Sequence, residues 1–293
     1  MAVKPAHLVE RAAERLLHLG LLNGSAMPPP AARADVVSPE LPDRPSHEAE
    51  WTPTRPIIGM ALLERAGMFD WSRGRSRILE EFRLAQRQLL RVASRPTAAG
   101  IANLVMVTSA RPGEGKSFVS LNLACSIALQ GDRDVLLIDC DPSRQSISHT
   151  LGLAQAPGVL DLAAHPRLAA DDIILRTEVK NLSVLPVGRE QTRSSELFAS
   201  RDMTYLVHQL GRRDGNRVVL LDAAPCLSTS DPAALAPVVG QILMVVQAER
   251  TQREEVESAL ELLQACPSIM LVLNRAHPWN RHTFGGYSCD YSS

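Results

Sequence analysis

One stretch constrains this chain more than any other: Leu104-Val-Met-Val-Thr-Ser-Ala-Arg-Pro-Gly-Glu-Gly-Lys-Ser117. An apolar strand-like run passes into a short glycine-bearing loop, and an apolar helical pattern follows. Glycines let successive backbone N–H groups turn inward around an anion, and the helix behind them adds the partial positive charge of its N-terminus. In such a loop Lys116 reaches the β- and γ-phosphates of a nucleotide and Ser117 ligates Mg²⁺. Gly113, Glu114, Gly115, Lys116, Ser117 and Phe118 are therefore the nucleotide-binding candidates. Ala110 stands where the usual pattern opens with a glycine, so the loop is a variant, with strand, loop and helix in the required order.

The rest of the chain supplies a matching fold. Apolar runs at 103–108, 135–139, 182–185, 218–222, 242–247 and 269–273 alternate with helical patterns at 116–129, 196–210 and 252–266. That alternation predicts βαβ units, hence an α/β domain: a P-loop NTPase with a mostly parallel sheet flanked by helices. Ile78, Phe82, Ala85, Leu89 and Val92 recur on one face of a helix that Ser76 caps and Pro96 stops. Upstream, eight of the 20 prolines fall between Pro28 and Pro56. That stretch cannot bury enough apolar surface to offset its ordering entropy, so residues 24–70 read as a flexible linker. Leu8, Ala12, Leu16 and Leu17 share one face of a short helix before it. The expected organisation is a mostly disordered, proline-rich segment over 1–75, a P-loop domain over 76–276 and a flexible tail over 277–293.

Composition narrows the function. Net charge is −1, with no basic excess that would point to nucleic acid. The five cysteines are scattered and odd in number, which disfavours a disulfide framework or a zinc site and fits a reducing cytoplasm. No apolar run reaches the roughly 18 residues of a membrane-spanning helix, and no signal peptide is visible.

Two acidic strand ends complete the chemistry. Val135-Leu-Leu-Ile-Asp139-Cys-Asp141 and Val218-Val-Leu-Leu-Asp222-Ala-Ala-Pro225 place aspartates just past apolar runs, where the crevice of an α/β sheet opens. Carboxylates drawn into an apolar crevice cost several kcal/mol unless paired or bound to a cation. Beside a phosphate loop, Mg²⁺ is the natural partner.

Together these three motifs resemble the Walker-type motifs of the bacterial tyrosine kinases of capsule and exopolysaccharide synthesis, which share a broad class with the MinD and ParA ATPases. Leu151-Gly-Leu, Pro157-Gly158, Leu185-Pro-Val-Gly188, Ser195-Glu-Leu-Phe198 and Val272-Leu-Asn274 look like that family's connecting segments. Arg111 stands where MinD-like proteins carry lysine, and a tail with Tyr287 and Tyr291 also fits the kinases. The resemblance implies ATP and Mg²⁺ as cofactors. It implies Lys116, Asp139 and Asp141 as catalytic, and Ser117, Asp139 and Asp222 as metal-binding. It further implies Asn274 at the adenine, and Tyr287 and Tyr291 as phosphoacceptors in trans within a homo-oligomer. A separate membrane protein of the chain-length-determinant (Wzz-like) type is the implied activator, holding a cytoplasmic protein at the inner membrane. Departures stand at Ser143 for arginine, at Ala224 for proline, and at Glu80, Arg83 and Gln86, where relatives carry Glu-x-x-Arg-x-x-Arg on a ring-forming helix. A MinD/ParA-like switch, or a nucleotide-binding scaffold with little phosphotransfer, are the alternatives.

Overall fold

The computed structural model describes residues 57–71, 76–93, 102–189, 191–212 and 216–276. All lie in one of two compact units into which the chain divides, Pro53–Ser293. The helix expected near residues 8–17 and the tail tyrosines Tyr287 and Tyr291 lie outside the described residues.

Seven strands form one sheet: β1 (Leu104–Ser109), β2 (Val135–Cys140), β3 (Leu175–Arg176), β4 (Leu182–Leu185), β5 (Val218–Ala223), β6 (Gln241–Gln247) and β7 (Ile269–Asn274). Their order is β3-β4-β2-β5-β1-β6-β7, and every pairing is parallel except β3 with β4. Every residue of β1, β2 and β5 is buried, as parallel strands covered on both faces require. The period of two sorts them: Leu104 and Met106 face one core, Val105 and Val107 the other.

Five helices matter for the site: α1 (Met60–Arg65), α2 (Arg77–Ala93), α3 (Lys116–Gln130), α4 (Arg201–Arg212) and α5 (Arg253–Leu263). Helix α3 runs from the phosphate loop between the sheet and α2, so it is buried nearly all round. Helix α2 turns Leu79, Phe82, Gln86 and Leu89 inward, one residue round from the expected face, and Ile78 stays exposed. The single helix expected over 196–210 is two, Ser194–Phe198 and α4. Ser200 breaks the run because its hydroxyl accepts the Met203 N–H, 3.1 Å away, and so starts a new helix.

The linker expected over 24–70 ends earlier than composition suggested. Residues 57–71 form a strap packed on the domain. Ile58 bridges to Thr177, and the Met60 N–H donates to Glu178 at 2.6 Å. Leu63 is fully buried. Asn122 of α3 holds the strap at two points, accepting from the Phe69 N–H and donating to the Gly67 carbonyl. Phe69, Phe82 and Phe118 then meet edge to face, with ring centroids 5.1 to 6.1 Å apart.

Candidate active site

The phosphate loop leaves β1 and enters α3 through two left-handed glycines, Gly113 (φ 82°) and Gly115 (φ 96°). Gly115 is needed twice over. Its φ disfavours a side chain, and a Cβ there would overlap the Asn274 amide. That amide donates to the Glu114 carbonyl at 2.8 Å, so β7 buttresses the loop from behind. Asn274, expected at the adenine, is engaged in this structure by the loop itself.

Glu114 is the loop's internal fastening. Its carboxylate is buried and accepts from the Arg111 N–H (2.7 Å), the Gln247 N–H (3.3 Å) and the Thr251 hydroxyl. The loop is thereby tied to the end of β6. Arg111 reaches on to Glu255 of α5 at 2.9 Å. The Phe118 ring turns away into the aromatic cluster with Phe69 and Phe82, leaving only its backbone on the loop side.

Parallel pairing sets the carboxylates. Asp139 of β2 lies in register with Asp222 of β5, side by side at the strand ends next to the loop. Lys116 Nζ lies 2.5 Å from Asp141 Oδ2, 3.0 Å from the Ser117 hydroxyl and 3.9 Å from Asp222 Oδ2. Thus Lys116, Ser117, Asp139, Asp141 and Asp222 form one cluster.

The two buried aspartates are held differently. Asp139 accepts the Asp141 N–H on one oxygen (3.0 Å) and the Ser148 N–H on the other (2.7 Å). Burial, then the charge of Asp222, raises its pKa to about 6. Asp222 Oδ1 accepts from the Ser120 hydroxyl at 2.9 Å, while its Oδ2 is buried without a hydrogen bond. Burial pushes Asp222 upward, against the pull of Lys116. Burial also opposes ionisation of Asp141 and Lys116, but charge wins: Lys116 holds the Asp141 carboxyl below its usual range, and Asp222 together with Asp141 holds the ammonium above its own.

A buried carboxylate oxygen without a hydrogen bond, beside the Ser117 hydroxyl, offers the oxygen donors a hard cation takes. Among the described residues no three His, Cys, Asp or Glu side chains could hold a metal by themselves. Mg²⁺ does not require that, since it commonly takes one or two carboxylates and completes its shell with water and substrate phosphates. The residues therefore fit Mg²⁺, with Ser117 and Asp222 best placed to hold it. Sequence reading missed the supporting residues Ser120, Ser148, Gln247 and Thr251. They come from elements distant along the chain, and no local motif marks them.

A phosphate loop after β1, with carboxylates at the ends of two neighbouring parallel strands, defines a nucleotide-binding protein of the P-loop class. The chain belongs to the AAA domain family, whose model matches residues 102–270. It is 37% identical over 162 residues to EpsB of Ralstonia nicotianae, a match covering 55% of this chain and 21% of that protein. It is 29% identical over 184 residues to tyrosine-protein kinase YwqD of Bacillus subtilis, covering 62% of this chain and 76% of YwqD. Among solved structures, the kinase domain of VpsO is 30% identical, with a TM-score of 0.55, over 69% of this chain and 100% of that domain. The resemblance to bacterial tyrosine kinases read from the motifs agrees with these relatives.

Proposed function

We propose that the protein is an ATP-dependent protein-tyrosine autokinase that regulates exopolysaccharide or capsule polymerisation and export. The observation that carries this reading is the cluster in which Lys116 bridges Asp141 and Asp222 at the mouth of the phosphate loop. Lys116 is held here by carboxylates. A triphosphate in the loop offers it a stronger anion, and its move to the β- and γ-phosphates releases Asp141.

Phosphoryl transfer rests mainly on positioning and charge neutralisation. Backbone N–H groups of Gly113–Ser117 and the Lys116 ammonium orient the triphosphate. Ser117 and Asp222 would hold Mg²⁺, which when bound screens the phosphate charge. A tyrosyl oxygen then bonds to the γ-phosphorus as the bridging P–O bond to the β-phosphate breaks and ADP departs. Asp141, freed from Lys116 and nearest the opening, accepts the phenolic proton. Asp139, closed in by two backbone donors, fixes the strand end that presents Asp141. Tyr287 and Tyr291 are the acceptors in this reading, entering from a second copy. A membrane chain-length-determinant protein would bring the kinase to the inner membrane.

The test is phosphotyrosine mapping by mass spectrometry after incubation with Mg-ATP. Label on Tyr287 or Tyr291 in the parent, and its loss in Lys116→Met, supports the kinase. ATP hydrolysis with an unlabelled tail would instead indicate a MinD/ParA-like switch.

A further inference from the structure

Beside the carboxylate cluster lies a concavity of about 300 Å³, lined in part by Ser143, Arg144, Ser148, His149, Arg189 and Gln191. Two features set it apart from an incidental surface hollow. First, it shares its wall with the reacting groups. The Ser143 N–H donates to Asp141 Oδ1 at 3.0 Å, and the Ser148 N–H donates to Asp139 Oδ2 at 2.7 Å. The Ser148 hydroxyl in turn accepts the Val187 N–H at 3.0 Å, fixing the far side. Second, its charge is one-sided. Arg144, His149 and Arg189 line it, and no Asp or Glu does so among the described residues.

The arginines are not equally fixed. Arg189 is anchored: its Nε donates to the Gln155 carbonyl at 2.7 Å, and its backbone N–H to Asp161 at 2.9 Å. Its remaining guanidinium N–H groups stay available at the rim. Arg144 is exposed, three residues beyond Asp141, and has no ion-pair partner among the described residues. An anchored guanidinium, an exposed unpaired one and an imidazole around one hollow make a receptor for a carboxylate.

Resting on the kinase reading, we propose that this hollow is a substrate-docking subsite that receives an acidic side chain next to the acceptor tyrosine. The hollow starts where the Asp141 strand end stops, so a peptide whose phenol lies at Asp141 places its neighbouring residue there. The chain's own C-terminal segment carries such a pair. Tyr291 follows Asp290, whereas Tyr287 follows Gly286. The subsite therefore favours Tyr291 over Tyr287, and favours other proteins whose tyrosine has an acidic neighbour.

The test uses the full chain, Mg²⁺ and a non-transferable ATP analogue. Binding of fluorescein-labelled peptides is read by anisotropy. One peptide has the sequence of residues 285–293; in others Asp290 is replaced by asparagine or lysine. The parent protein should bind the aspartate peptide about tenfold more tightly than the asparagine peptide. Arg144→Gln should narrow that gap to less than about threefold, and Arg144→Glu should reverse the order in favour of the lysine peptide. Equal binding of the aspartate and asparagine peptides by the parent, or equal weakening of both by Arg144→Gln, would overturn the subsite. Transfer is measured separately with ATP. Charge-selective binding without any transfer would leave the subsite standing and refute the kinase reading.

Discussion

At the residue scale, the site depends on how two adjacent buried carboxylates are kept apart in role. Asp222 Oδ1 leans on the Ser120 hydroxyl, 102 positions away in sequence. Ser120→Ala would remove the hydrogen bond that this buried oxygen accepts. The expected cost is about 1–3 kcal/mol, read as a lowered urea midpoint with an unchanged slope. Asp139 makes a second prediction, with a sign opposite to the usual acid denaturation. Its pKa rises from 3.8 in the unfolded chain to about 6 in the fold. Between those values the native state keeps a proton that the unfolded chain has released. Its contribution to stability is thus fully present below pH 4 and declines as pH rises through 6, by up to about 3 kcal/mol. Urea unfolding at pH 4.5 and 6.5 should show this decline over and above the slope of Asp139→Asn. A wild type and variant with the same pH slope would refute it. Local spacing made Lys116, Ser117, Asp139, Asp141 and Asp222 legible in the sequence. The Ser120 hydroxyl and the Ser148 N–H that hold the two strand-end aspartates were not, because those contacts are set only when segments distant in sequence meet.

At the element scale, the phosphate loop is a turn fastened at both ends. Gly115→Ala combines a left-handed φ of 96° with a Cβ that meets the Asn274 amide. Affinity for a fluorescent ATP analogue should fall at least about tenfold. Adding Asn274→Ala should recover part of the loss, since it removes the overlap and leaves the φ unfavourable. Most strands were readable because fully buried parallel strands are apolar runs with few alternatives. Strand β3 was not, being two residues long and antiparallel at an edge. The strap over 57–71 was obscured by the prolines before it. Its signal was apolar density without period: Ile57, Ile58, Leu62, Leu63, Met68, Phe69 and Trp71. Leu63 has no exposed surface, so Leu63→Ala should cost about 2–5 kcal/mol. A flexible linker would give no change in the thermal midpoint.

At the scale of the whole molecule, the sheet decides where everything functional lies. Strand β5 sits between β1 and β2, and the chain then crosses to β6 on the far side of β1. The loop, Asp222 and Asp139 thus come from three adjacent strands, all opening at one end, while α2 lies over α3 on one sheet face. Among the described residues no helix is long and apolar enough to cross a membrane. The surface of α2 departs from the ring-forming helix that the family resemblance implies. Glu80 pairs with Arg83 on the same helix, and Gln86 faces inward at 4% exposure, accepting from the Ser126 hydroxyl and donating to Gln130. Arg87 is the residue that faces solvent, about 100° further round. Completing the relatives' Glu-x-x-Arg-x-x-Arg spacing by Gln86→Arg would therefore not add a basic group to an outer face. It would press a guanidinium into the buried space that Gln86 shares with Ser126 and Gln130 between α2 and α3. The expected result is a loss of about 2 kcal/mol or more in stability by urea unfolding, with a particle mass by light scattering equal to the parent's. A stable variant of larger mass would show that α2 can turn this position outward and that its packing on α3 gives way to assembly.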